Sequence, residues 1–331
     1  MVVSKAPFLV GNRHVEVREH RYSEPGPGQL LVRVRANAVC GSDRGIFLNG
    51  SDIVAGHEAA GEVVGVGTGT STPNGTRGVI YLMAYCGACR SCRLGATNLC
   101  LDKSGDMGFN RDGGLGPYEL IEESMFFPIG EHLDLPLATM LLDVLGTSGA
   151  ALNRALRVRP DIESVLITGA GPVGIGMLVS TRLRLGPEVP IYISDLSSWR
   201  LTFAESFGGF PVHAAEVDQL EEVDAAFDAS GRGSARSSAL SRLSKRGVLV
   251  CVGHGQDLRI EVSRDLVATG RAVLGSEYFP YADLAASLRL LEANQDYIAR
   301  VITHTFDVDQ TAEAFETFLS RESGKVVITQ E

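Results

Sequence analysis

The segment "SVLITGAGPVGIGMLVSTRLRLG", Ser164–Gly186, constrains the fold more than any other stretch of this 331-residue chain. Ser164 to Thr168 is an apolar, β-branched run suited to a strand buried in a parallel sheet. Gly169, Gly171 and Gly174 then make G-x-G-x-x-G, with Pro172 and Val173 inside it, and a helical apolar pattern follows through Met177, Leu178 and Leu183. About twenty residues beyond the last glycine, "PIYISD" reads as a second strand ending in Asp195. This is a dinucleotide fingerprint in its proper setting. The glycines give a tight turn, close approach to a pyrophosphate and helix–strand contact, and the helix N-terminus faces the phosphates. The carboxylate of Asp195 accepts hydrogen bonds from ribose hydroxyls and repels a 2′-phosphate, so NAD is expected over NADP. Arg200 is the group that would favour the phosphorylated cofactor.

One such unit does not use up the chain, whose length suits about two domains. With 44% hydrophobic and 21% charged residues it can bury a sizeable core. A net charge of −10 argues against non-specific nucleic-acid binding and gives no reason to expect an anionic membrane partner. No apolar run reads as a spanning helix, and "MVVSKAPFLV" is too short and mixed for a signal peptide. The expected place is the cytoplasm, where clustered thiols point to metal or catalysis rather than disulfides.

Four of the six cysteines fall in "YCGACRSCRLGATNLC". Cys86, Cys89, Cys92 and Cys100 are spaced C-x2-C-x2-C-x7-C. Two-residue gaps present adjacent thiolates to one ion, and Gly87 and Gly95 permit the turns. Four thiolates around one zinc leave no vacancy for substrate, so the site would be structural; an iron–sulfur cluster is the main alternative. A second set of potential ligands lies upstream, with Cys40 in "AVCGSD" and His57 and Glu58 in "VAGHEAAGEVVGVG". Alone, a single Cys and a single His would be read as buried packing residues. "GEVVGVG" is a Val-rich strand after a Gly-rich turn, however, so His57 stands at a strand entrance, a rigid mount for a ligand.

In order along the chain, "VCGSD", "GHEAAGEVVGVG", the four-cysteine lobe, "DGGLGPYEL", "GAGPVG", "FDASG" and "GVLVCVGHG" resemble the zinc-dependent medium-chain alcohol and polyol dehydrogenases, the group of sorbitol, threonine and secondary-alcohol dehydrogenases. The resemblance implies an α/β chain of two domains. A GroES-like, mostly β catalytic domain would take residues 1–146 and 276–331, with the structural-zinc lobe at 85–101. A Rossmann domain with a doubly wound parallel sheet would take 147–275, and "GKVVIT" would return to the first domain as its last strand. The resemblance also implies Cys40 and His57 as catalytic-zinc ligands and Glu58 as an intermittent one. In "LLDVLGTSGAALNRA" it implies Asp143 as the third fixed ligand; an aspartate capping the following helix is the alternative there. Val252 and Gly253 would line the cofactor site.

The implied reaction is hydride transfer between a secondary alcohol and NAD, giving a ketone. A neutral alcohol is a poor hydride donor, and zinc with an open position can bring an oxygen's pKa down to roughly 7. By the same resemblance Ser42 would pass the released proton on and Asp43 would orient His57 through its second ring nitrogen. Two zinc ions per chain, a small alcohol or ketone as partner, and a homodimer or homotetramer follow. A polyol, sugar or aminocyclitol is the expected substrate class, the last because "GDMGFNRDGG" resembles the corresponding loop of 2-deoxy-scyllo-inosamine dehydrogenases; a simple secondary alcohol is the alternative. A zinc-free reductase and a non-catalytic nucleotide-binding protein on the same fold are the competing classes. His14, His20, His132, His213 and His304 are read as surface or packing residues, Cys251 as core, and "DQLEEVD" as a solvated helix face. His254 follows the strand "VLVCV" and is a candidate for the nicotinamide side, and Trp199 for the adenine rim or, equally, for an ordinary place at a helix start.

Overall fold

Strands β1 (Val2–Gly11) and β2 (His14–Tyr22) open the chain as an antiparallel hairpin, turned at Asn12 and Arg13, both at positive φ as such tight turns demand. In this computed structural model, which describes residues 1–331, the hairpin belongs to a unit formed by Met1–Asp143 and Pro280–Glu331. The strand that organises this unit is β3 (Gln29–Ala38), buried except at the partly exposed Gln29, Arg33 and Arg35. After β3 come α1 (Asp43–Asn49), β4 (Ala59–Val66), β5 (Arg77–Ile80) and β6 (Met83–Ala84). A short turn α2 (Arg90–Arg93), then β7 (Gly105–Asp106), β8 (Tyr118–Glu122), β9 (Phe126–Pro128) and α3 (Leu135–Ala138) complete the first part. Strand β3 pairs antiparallel with both β4 and β8, and β4 continues through β5 to β9.

The second unit, Val144–Phe279, alternates strands and helices. In order these are α4 (Ser148–Val158), β10 (Val165–Thr168), α5 (Pro172–Leu185), β11 (Ile191–Asp195), α6 (Ser198–Glu205) and β12 (Phe210–His213), then β13 (Val223–Asp228), α7 (Gly233–Ser241), β14 (Leu243–Cys251) and β15 (Ala272–Gly275). The six strands are all parallel, in the order β12-β11-β10-β13-β14-β15. The order reverses direction between β10 and β13, the place where open parallel sheets bind ligands at the strands' carboxyl ends. The chain then returns to the first unit through α8 (Leu284–Ala293), α9 (Gln295–Ala299), β16 (Ile302–Asp307), α10 (Thr311–Leu319) and β17 (Lys325–Thr329), and β17 pairs antiparallel with β3. The expected GroES-like unit and doubly wound parallel sheet are both present.

Three expectations are corrected. The acidic run Asp218–Asp224 is solvated as expected at Asp218, Gln219, Glu221 and Glu222, but it is not the face of an α-helix and its end is buried. It leaves a short 3-10 turn at Gln219 and enters β13, where Asp224 is buried and its carboxylate binds Arg159 at 2.5 Å. Parallel pairing with β10 and β14 takes precedence over the helical preference of a Glu-rich stretch. Cys251 is only half-buried at the end of β14 rather than in the core, although it packs against one. Finally, a helical run Leu135–Val158 is long and apolar enough to cross a membrane, with a mean hydropathy of 1.5 in its most apolar window. That window is 89% buried inside the protein, as a core helix would be.

Candidate metal centre and dinucleotide site

Cys40 lies just past the end of β3 and its amide donates to Asp43 Oδ2 at 2.9 Å. The other oxygen of Asp43 meets His57 Nδ1 at 3.2 Å, and both side chains are buried. His57 and Glu58 enter β4 beside the end of β3. There Asn37, also buried, accepts from the Glu58 amide at 3.2 Å and donates to the Ala38 carbonyl at 3.1 Å. Gly56 precedes them at φ +95°, with its missing Cβ position 2.8 Å from the Asn37 amide, so a side chain there would be both strained and obstructed. Asp143 arrives on the π-helical turn Leu142–Thr147, with Oδ2 3.0 Å from Cys40 Sγ and 3.6 Å from His57 Nε2.

One ligand atom from each of Cys40, His57, Glu58 and Asp143 lies within 4.8 Å of the others, and all four residues are buried. Donors around a four-coordinate zinc at 2.0–2.3 Å stand about 3.3–3.8 Å apart, so the set can close on such an ion with small side-chain movement. Glu58 supplies a further sign of fit. Its Oε1 accepts from Lys325 Nζ, while Oε2 is buried with no hydrogen-bond partner, a costly state for a carboxylate unless a cation meets it.

The charges around this centre are tightly linked. Burial opposes ionisation of Asp143 most strongly, yet His57, Lys325 and the Cys40 thiol together hold its carboxyl well below the usual range. Burial likewise disfavours the His57 cation, but Asp43 and Asp143 outweigh it and raise the imidazole well above its ordinary value. Glu58 is pushed up to about 8 by burial against the pull of Lys325. Burial and the Asp143 charge push the Cys40 thiol up. A divalent cation inverts this last preference, because a coordinating thiol is deprotonated outright. Lys325 was missed in the sequence. Its only signal is a lysine heading the apolar run "KVVIT", and it is fully buried at the start of β17.

Ser42 begins α1 with its side chain exposed and making no capping hydrogen bond, so the hydroxyl is not committed to the turn. Phe109, inside the "GDMGFNRDGG" loop, sets its ring 5.2 Å from that of His57. The sequence carried no signal for that contact.

In the cysteine lobe the four sulfurs also lie within 4.8 Å of one another, with Cys86–Cys100 at 3.5 Å and Cys89–Cys100 at 3.9 Å. Backbone amides point at them: Cys89 N–H to Cys86 Sγ at 3.2 Å, Leu101 N–H to Cys89 Sγ at 3.4 Å, and Asp102 N–H to Cys100 Sγ at 3.4 Å. The amides of Cys92 and Leu101 lower the Cys89 thiol to about 6, whereas burial and the neighbouring thiols raise Cys92 to about 12. Four thiols this close cannot all ionise without a cation between them, and their donor set is that of a closed zinc site.

In the second unit Gly169 turns the chain at φ +95°, and a Cβ there would fall 2.9 Å from the Ser230 nitrogen. At Gly174 it would fall 1.7 Å from the Gly169 carbonyl oxygen, so α5 can approach β10 only without a side chain. At Gly171 a Cβ would meet nothing nearer than Arg200 Nη1 at 3.6 Å. Gly171 caps α5 without a side-chain hydrogen bond and Pro172 follows at the first helical position, with Val173 next, leaving amides of the first turn for an anion. Asp195 ends β11 and holds the loop together, accepting from the amides of Ala170 at 2.8 Å, Leu196 at 2.8 Å and Ser197 at 2.9 Å. Its Oδ2 carries only one of these bonds and keeps acceptor capacity for a ribose hydroxyl. Val252 and Gly253 follow β14, their amides bound to the Asp228 carbonyl at 2.9 and 2.8 Å. His254 points to solvent, 83% exposed and 3.7 Å from Glu277. Trp199 stacks on Phe203 at 5.1 Å within α6. Of the remaining histidines, His20 packs between Phe8 and Tyr22 and binds Asp112 at 2.8 Å.

Residues 26–131 match the alcohol dehydrogenase GroES-like domain, and residues 139–329 match the glucose dehydrogenase C-terminus domain. The L-threonine 3-dehydrogenase of Shewanella pealeana is 31% identical, over 92% of this chain and 93% of its own. An alcohol dehydrogenase from Thermus sp. ATN1 superposes with a TM-score of 0.89 at 25% identity, covering 99% of this chain and 100% of its own. A short chain alcohol dehydrogenase from Escherichia coli, solved with NADH, superposes at 0.88 with 21% identity over 98% of each chain, a likeness of fold. By domain content, by sequence over most of its length and by fold, the chain belongs to the medium-chain, zinc-type family of alcohol dehydrogenase-like oxidoreductases.

Proposed function

We propose that the protein is a zinc- and NAD-dependent dehydrogenase that oxidises a secondary alcohol to a ketone, or runs the reverse reaction. The observation that carries this reading is the buried convergence of Cys40, His57, Glu58 and Asp143 in a chain that also holds a phosphate-binding glycine loop. Zinc held by these side chains would supply Lewis acidity, which lowers the pKa of a bound oxygen, to roughly 7 for water. Cys40, His57 and Asp143 would hold the ion. Asp43 accepts from His57 Nδ1–H and thereby turns the Nε2 lone pair toward the cluster. Lys325 balances Glu58, which can enter or leave the ligand set with its unpartnered oxygen. The uncommitted Ser42 hydroxyl relays the proton released from the alcohol, accepting it while its own proton passes on to the cofactor ribose or solvent. In the second unit the Gly169–Gly174 loop and the start of α5 bind the pyrophosphate. Asp195 takes the adenosine ribose and selects NAD, with Arg200 beside the loop.

A secondary alcohol is favoured because the 31% identical relative is named for the C3 position of threonine, whose hydroxyl is secondary. A polyol, sugar or aminocyclitol is the finer proposal. The loop Gly105–Gly114, with Phe109 against His57, supports it as a wall beside the metal centre. We place the enzyme in the cytoplasm as a homodimer or homotetramer. The test is zinc analysis of the purified chain combined with an NAD-reduction screen over cyclitols, aminocyclitols, sugars, hydroxy amino acids and simple secondary alcohols. Zinc-bearing protein that reduces NAD with none of them removes the reading in favour of a non-catalytic nucleotide-binding role. Active protein without metal replaces it with a zinc-free reductase.

A further inference from the structure

We infer that Arg236 is a positioning residue of the cofactor crevice: one guanidinium neutralises Asp228 at the sheet's switch point and clamps the Gly253–Gln256 loop in place. The inference rests on the NAD reading above and assigns a role to a residue outside the glycine motif. Asp228 ends β13, next to β10, where the strand order reverses. Its side chain is fully buried and its Oδ1 accepts from Thr168 Oγ1 at 3.1 Å, Ser230 Oγ at 2.7 Å, and the amides of Ser230 at 3.0 Å and Gly231 at 3.2 Å. Those four bonds shape the turn after β13 and leave the buried Oδ2 to be met by another donor. Arg236, on the first turn of α7, answers it with Nε 2.7 Å from Asp228 Oδ2. The same guanidinium donates through Nη2 to the Gly253 carbonyl and through Nη1 to the Gln256 carbonyl.

The two loops joined in this way are pressed together at backbone distance. A Cβ on Gly231 would fall 2.0 Å from the His254 carbonyl oxygen, and one on Gly253 would fall 2.5 Å from the Gly231 nitrogen. The Gln256 amide donates to the Gly231 carbonyl at 2.8 Å, and its side chain accepts from the Gly233 amide at 3.0 Å. The loop after β14 thus has almost no side-chain packing of its own between Gly253 and Gly255. Its position is held by these hydrogen bonds, and three of the acceptors belong to one side chain's reach. A planar fork of five donors can serve a carboxylate and two carbonyls at once; an ammonium cannot.

The experiment compares native protein, Arg236→Lys and Arg236→Gln, each as the full zinc-loaded chain with its thermal unfolding recorded. NADH binding is followed by fluorescence, and amide hydrogen exchange is measured on the cofactor-free protein. Hydrogen bonds to a charged group are worth about 1.5–3 kcal/mol, so the NADH Kd should rise by about tenfold or more in the Gln variant and by less in the Lys variant. Exchange should quicken at residues 252–257 and stay native at residues 169–174. A folded Gln or Lys variant with native Kd and native exchange in that loop overturns the inference while leaving the proposed function standing. Native protein that binds no NADH overturns both. If the Gln variant fails to fold, the Lys variant carries the test, since it keeps the charge and loses only the fork.

Discussion

Glu119 makes a sharp prediction because its buried carboxyl has no hydrogen-bond partner. It sits on β8 opposite Val32 of β3, it is 1% exposed, and both carboxylate oxygens are buried without a hydrogen-bond partner. Burial holds its pKa well above the ordinary carboxylate value, with Asp112 adding to the rise and Arg111 and His57 only partly opposing it. The folded protein therefore keeps a proton here that the unfolded chain gives up near pH 4.5. From that pH upward the folded state binds more protons than the unfolded one. Stability then falls with rising pH until the folded-state pKa is reached, beyond which the loss is constant. One proton corresponds to about 1.4 kcal/mol per pH unit. Glu119→Gln keeps the shape and removes the titration. Relative to native protein the variant should gain about 1.4 kcal/mol for each pH unit between about 5 and the folded-state pKa of Glu119, or roughly 3–6 °C in Tm per unit for a domain of this size. Glu58, raised to about 8, adds its own slope, but it is common to both proteins and cancels in the difference. Thermal or urea unfolding of both proteins from about pH 5 to pH 7 measures this directly. A constant offset, whatever its sign, would reflect only the buried amide. Parallel curves would refute the argument that Glu119 is held neutral.

The two candidate metal sites should respond differently to loss of one thiolate. Cys89→Ser should lower Tm markedly and reduce zinc from two ions per chain to one, whereas Cys40→Ser should abolish turnover with the fold largely intact; elemental analysis and circular dichroism on the same samples decide. Ser42→Ala should reduce kcat by about 10²–10⁴-fold with zinc content and NAD affinity near native, and an unchanged kcat in fully metallated protein would make solvent the proton acceptor. Asp195→Ala should narrow the preference for NAD over NADP, measured as the ratio of kcat/KM values. A native preference for NADP would instead make Arg200 the governing residue.

What could be read from the sequence was whatever a single strand or turn determines by itself. The spacing of Gly169, Gly171 and Gly174 between an apolar strand and an apolar helix describes one local unit, and the structure realises it with β10 and α5. The four-cysteine lobe is equally local, since two-residue gaps bring thiols together whatever lies elsewhere. The acidic run Asp218–Asp224 is solvated over most of its length, as local charge favours, while pairing with strands distant in sequence draws its end into β13 and claims Asp224 for the interior. Asp143 came to the metal centre only through family resemblance, as it stands 103 residues from Cys40 and no spacing connects them. The partnership of Glu58 with Lys325 spans 267 residues. It exists because β17 returns from the far end of the chain to pair with β3, placing Val327 opposite Ala38. A buried cation and a buried carboxylate are tolerable only once that register has brought them together, so this contact was decided by tertiary structure alone.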